Sequence, residues 1–162
     1  MATPTYTLID STTLTSSASS VTFSSITQDY RDLILVIDAK HATTNENNTL
    51  QFNGDSGSNY SNVYMYGTGS STGSSAQTLA YIRIDFATEM TTTNPNLDIV
   101  QIMDYSATDK HKSTLSRANN SSNATEATAG RWANTSAITS IVIAPRSGSY
   151  ASGTFHLYGI EA

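Results

Sequence analysis

The amino-acid sequence predicts an all-β fold: an antiparallel β-sandwich, jelly-roll-like, of about ten short strands with almost no helix. Three observations predict it. Short segments with period-2 alternation recur along the whole chain. Clusters of Gly, Ser and Asn separate them at intervals suited to a sandwich or barrel. No apolar stripe recurs at 3.6 residues, even in the Ala-containing stretch 122–131.

In chain order, residues 5–10 alternate and are rich in β-formers, and 21–23 is an apolar-polar-apolar unit. Residues 33–39 are aliphatic on both faces, as a central strand covered on both sides would be. Segments 49–52 and 60–66 follow. In 79–86, Ile82, Ile84 and Phe86 point one way and Tyr81, Arg83 and Asp85 the other, which predicts one wet face. Segments 97–103, 111–116, 138–144 and 154–160 complete the set. Turn clusters fall at 53–59, 67–75, 91–96, 119–123 and 145–152. None is long enough to link domains, so residues 1–162 read as one domain, with 1–10 either an N-terminal arm or the first strand. The predicted core is Leu8, Phe23, Leu33, Leu35, Ile37, Phe52, Met65, Ile82, Ile84, Phe86, Ile99, Met103, Ile141, Ile143, Phe155 and Leu157.

Composition narrows the function classes. Charged residues are 13% of the chain, against about 25% in an average domain. The net charge is -5 and no basic patch occurs, which argues against a nucleic-acid partner. Ser and Thr number 49 of 162 residues. A surface made polar by hydroxyls lets copies pack without like-charge repulsion, favouring assemblies and sugar contacts; the plainer reading is that Ser/Thr-rich connections inflate the count. With no Cys, disulfides and thiolate metal sites are excluded. The N-terminus lacks the basic and apolar regions of a signal peptide. The longest aliphatic run, 33–37, is far below the roughly 20 residues that span a bilayer, so no membrane association is expected. Sequons at Asn47, Asn59, Asn123 and Asn134 follow from an Asn/Ser/Thr-rich composition.

The residues that carry chemistry are scattered. His41, His111 and His156 each stand alone, without a second ligand at metal spacing, so no metal or cofactor is expected. No G-x-S-x-G elbow occurs; residues 65–69 read Met-Tyr-Gly-Thr-Gly. The acid pairs Asp29/Asp32 and Asp104/Asp109 read as local turn and loop partners rather than a glycosidase pair. The 53–59 loop has one charge, Asp55, and no terminal Glu, so it reads as a connection rather than a calcium loop. Residues 67–73 lack the lysine of a phosphate loop. The expectation is a protein that is not an enzyme.

The aromatics suggest contacts instead. Tyr60, Tyr64 and Tyr66 share one strand face, and Tyr81 and Tyr105 occupy wet-face or terminal positions. With Trp132, set among polar neighbours, Tyr64, Tyr66, Tyr81 and Tyr105 form a candidate interface. The alternative is an inward-facing aromatic core.

Three segments resemble a known group. They are Tyr30-Arg-Asp-Leu-Ile-Leu-Val-Ile-Asp-Ala39, Leu50-Gln-Phe-Asn-Gly-Asp-Ser-Gly-Ser-Asn-Tyr-Ser61 and Gly153-Thr-Phe-His-Leu-Tyr-Gly-Ile160. Together they are similar to β-sandwich structural proteins of tailed bacteriophages, especially phages of marine bacteria. The resemblance implies a virion component made in the host cytoplasm: a capsid decoration (cement) protein, or a tail-fibre or knob module that binds receptors or cell-surface glycans. It implies no catalytic residue. A decoration protein would bind the major capsid protein lattice as an oligomer, expected here as a homotrimer. On that reading Pro4, Tyr6, Leu8 and Ile9 form a capsid-binding arm that adds a strand to a neighbour's sheet. The competing expectation is that they belong to the first strand of the chain's own sheet.

Overall fold

The computed structural model describes residues 4–120 and 124–161. The described residues form twelve strands and no helix. These are β1 (Tyr6–Leu14), β2 (Val21–Phe23), β3 (Asp32–His41), β4 (Asn48–Phe52), β5 (Tyr60–Gly67), β6 (Thr72–Leu79), β7 (Ile82–Arg83), β8 (Asn96–Met103), β9 (Lys112–Asn119), β10 (Thr125–Trp132), β11 (Ile141–Pro145) and β12 (Tyr150–Ile160). Every pairing is antiparallel. The sandwich is unequal. Eight strands run β1-β12-β3-β8-β9-β10-β5-β6, and four run β2-β11-β4-β7.

The core lies between the sheets. Leu33, Leu35 and Ile37 alternate inward along β3, with Phe155 and Leu157 of β12 beside them; Val21, Phe23, Leu50, Phe52, Ile141 and Ile143 face them from the small sheet. Each such side chain, fully buried, contributes roughly 1.5–3 kcal/mol. At Gly130 of β10 a Cβ would lie 2.4 Å from Thr114 Oγ1 and 2.7 Å from Ile82 Cδ1, so the absence of a side chain lets β7 settle onto the large sheet.

Several expected core positions are corrected. Leu8 and Met65 are exposed, and Phe86, Ile99 and Met103 are half-buried. Leu8 faces outward because a bulge follows it: Leu8 pairs with Tyr158 and Asp10 with Leu157, which leaves Ile9 as the extra residue, packed against the core. The expected strand over 79–86 is broken. Leu79 ends β6 in the large sheet, and β7 starts in the small one. Its wet face is not wet either, since Arg83 and Asp85 are both buried. Two strands, β6 and β10, lie where turn residues and an Ala-containing stretch had given no strand signal.

The N-terminal residues Tyr6 to Leu14 pair with β12 of their own sheet. Pro4 and Thr5 lead into that strand, and residues 1–3 of the expected arm lie outside the described residues, as does Asn123. The two edges of the large sheet differ. β1 carries Asp10 and the bulge, whereas β6 is uncharged and pairs with β5 in unbroken register from Tyr60↔Leu79 to Gly67↔Thr72.

Candidate docking surface

The aromatic residues expected at an interface are mostly interior. Tyr64, Tyr105 and Trp132 are buried, and Tyr66 and Tyr81 are half-buried. The Tyr64 ring stacks on Phe86 at 4.2 Å, and the Arg83 guanidinium lies 4.3 Å over the same ring. The Tyr105 hydroxyl donates to the Thr27 carbonyl at 2.5 Å. Trp132 stacks beside Tyr60 and donates its indole N–H to Asp55 Oδ2 at 2.7 Å. The tyrosines of β5 do share one face, but it is the inner one. The alternation is legible in sequence; which parity faces the core is not.

Asp55 also accepts from the backbone N–H of Gly57 and the side chain of Asn59. These donors, Trp132 first, hold its carboxyl below the usual carboxylate range despite some burial. The loop that joins β4 to β5 begins with a turn in which Asn53 (φ 53°) and Gly54 (φ 69°) both adopt positive φ and Asp55 N–H donates to the Phe52 carbonyl at 2.9 Å. Asn53 Oδ1 then accepts the N–H groups of Thr139 and Ser140, tying this loop to the chain before β11. Asp55 is thus committed to holding the loop. Three of the other carboxylates weighed for chemistry have partners of their own: Asp29 the Thr27 hydroxyl, Asp32 the distant Asp104 N–H at 2.8 Å, and Asp104 the Lys110 ammonium at 3.5 Å.

What the structure brings together is the outer face of the large sheet. The register defines two rows that cross all eight strands. One runs Leu8, Tyr158, Ile34, Gln101, Leu115, Ala129, Val63, Ala76. The next runs Ser11, His156, Val36, Ile99, Arg117, Ala127, Met65, Ser74. At about 4.8 Å per strand the belt is roughly 34 Å long, and two rows make it on the order of 500 Å². Polar side chains border it, with Asp38 beside Thr154 on one side and Arg131 between Ser113 and Ser61 on the other. The six large apolar residues left 44–63% exposed, Tyr6, Leu8, Val63, Met65, Leu97 and Leu115, all lie on this face. These apolar residues are gathered on one face rather than scattered singly over the surface.

Arg117 is the belt's one charge. It pairs in register with Ile99 and Ala127 and makes no ion pair among the described residues. It separates two open grooves. One, of about 790 Å³, is bounded by Met65, Tyr66, Gly73 and Glu126. The other, of about 370 Å³, is bounded by Tyr6, Ile34, Val36, Ile99 and Tyr158. Sequence reasoning missed this face, although one signal was available: β3 is aliphatic on both sides, and no described segment covers its outer side, Ile34 and Val36.

Comparison of the chain with protein-family models, with curated proteins and with solved structures returned no match.

Proposed function

We propose that this chain is a non-enzymatic structural protein of a phage particle, and that it works by docking through the apolar belt of its large sheet. The belt is the observation that carries the docking role. Two mainly apolar rows, interrupted by Gln101, His156 and Arg117 and bordered by polar side chains, support a protein contact, whose centre is typically apolar and whose rim is polar. The virion assignment rests on the three-segment resemblance. Combined, they support a capsid decoration protein whose copies meet belt to belt or belt to lattice, with self-association, expected as a trimer, replacing the tyrosine contact inferred from sequence.

The alternative is a receptor-binding module of the tail. The groove where Tyr6 and Tyr158 border Arg117 supports it, because aromatic faces beside a guanidinium suit sugar rings. Quantifying the chain in purified particles separates the two: hundreds of copies per particle are expected for decoration, and a few to tens would overturn it in favour of the tail. Sedimentation of the isolated chain tests the belt. Leu115→Asp with Met65→Asp should convert an oligomer to monomer with an unchanged far-UV circular dichroism spectrum. A wild-type chain that is monomeric at high micromolar concentration would remove self-association from the proposal.

A further inference from the structure

A polar cluster lies inside the sandwich, centred on Asn48 of β4. The Asn48 backbone N–H donates to Asp85 Oδ1 at 2.6 Å, and its side-chain amide donates to Asp98 Oδ2 at 2.7 Å. Its amide oxygen accepts from the Tyr150 hydroxyl at 2.9 Å. Asn48 belongs to the small sheet, and Asp85 follows β7 of the same sheet. Asp98 and Tyr150 belong to β8 and β12 of the large one. These bonds therefore fasten one sheet to the other.

Both carboxyl groups are fully buried, and each uses one oxygen on Asn48. The remaining oxygens, Asp85 Oδ2 and Asp98 Oδ1, have no hydrogen-bond partner. The other titratable groups around the pair are Glu126 of β10, Tyr150 of β12 and, across Asn48, His41 at the end of β3 with Glu46 beyond it. The nearby cation, Arg83, is turned towards Asn47 and the Phe86 ring. Among the described residues, no cation pairs with either carboxyl. Two buried carboxylates without a counter-charge are far costlier than neutral acids. A protonated carboxyl also gains a donor, which an orphaned buried oxygen lacks.

We propose that Asp85 and Asp98 form a proton-loaded clasp between the sheets, with the folded chain retaining at least one proton on the pair at neutral pH and loosening the small sheet when that proton is lost. Burial pushes both acids up. Asp85 is raised further by the neighbouring Asp98 charge, and Asp98 reaches about 7 although the Asn48 amide opposes the rise. Because the folded-state values are raised, the clasp's contribution is complete below the ordinary carboxylate range and is lost as pH rises through about 7. Burial pushes the His41 imidazole down, although Glu46 and the Asn48 side chain oppose the shift.

The test is the melting temperature of the full chain from pH 5 to 9, in chelator. The wild type should lose roughly 5–10 °C across that range. Asp85→Asn and Asp98→Asn keep an acceptor for Asn48 and add a donor that cannot titrate. Each should flatten the slope and melt above the wild type at pH 9. If the variants fold poorly, the wild type alone still decides: its infrared spectrum should contain the C=O stretch of a protonated carboxyl at pH 6 that disappears as the pH rises to 9. A wild-type melting temperature flat from pH 5 to 9, no such band, or an unchanged slope in both Asn variants would each overturn the clasp. Calcium that stabilises the wild type at pH 9 but neither variant would also overturn it, making the pair a cation site instead.

Discussion

The two halves of the large sheet solve opposite problems. Where β12 and β3 run, the interior is aliphatic: Leu33, Leu35, Ile37, Phe155 and Leu157. Where β9, β10 and β5 run, much of the interior is polar, with Lys112, Thr114, Ser116, Glu126, Thr128 and Asn62 all buried, while Leu115, Val63 and Met65 face out. The difference follows from what lies opposite. The apolar half meets regular strands. The polar half meets residues 80–90, where the only ladder is the two-residue β7.

Most backbone groups of that segment need partners from elsewhere, and inward side chains supply them. Glu126 Oε2 accepts from Phe86 N–H at 2.9 Å and Ala87 N–H at 2.6 Å. Ser116 Oγ donates to the Ile84 carbonyl at 2.6 Å. Asn62 accepts from Arg83 N–H and donates to the Tyr81 carbonyl, and Asn96 donates to the carbonyls of Thr88 and Glu89. A buried polar side chain here stands in for a missing strand.

If that contrast is right, substitutions in the two halves should fail for different reasons. Phe155→Ala removes apolar volume from the regular half and should cost about 3–5 kcal/mol in urea unfolding. Glu126→Ala removes little apolar packing but strands the part-buried N–H groups of Phe86 and Ala87. It should cost about 2–4 kcal/mol, and a loss under 0.5 kcal/mol would break the comparison. Asp55→Ala, at the loop that holds Trp132, should cost about 1–3 kcal/mol. Since its donors hold Asp55 below the usual carboxylate range, its contribution is present above that range and is lost as pH falls through it. That acid-side loss is opposite in direction to the alkaline loss expected from Asp85 and Asp98. The smallest effect belongs to the outer face: Val63→Thr should change stability by no more than about 0.5 kcal/mol while weakening association.

Much of the architecture was legible because strands such as β3, β11 and β12 concentrate β-branched, aromatic and leucine residues. β6 and β10 were not, since Gly73, Ser74, Ser75, Ala127 and Ala129 carry little strand signal of their own and are held by neighbours on either side or, for β6, on one side. The docking face was read backwards for one reason. Along β5 both parities mix apolar and polar residues, and only the segment opposite decides that Tyr60, Asn62 and Tyr64 turn inward while Val63 and Met65 turn out. Buried Asp85 read as a wet-face residue because the sequence alternates correctly there but cannot report that both sides of 82–86 are covered.

The unequal edges of the large sheet have a consequence for growth. In the vocabulary of polymer chemistry, a sheet with two reactive edges is bifunctional and extends without limit. This one is monofunctional: the bulge at Ile9 and the charge on Asp10 obstruct addition at β1, while β6 offers eight uncharged residues in straight register. Any edge pairing between copies would therefore stop at β6 against β6, a contact separate from one made through the belt, and would not extend into a continuous sheet.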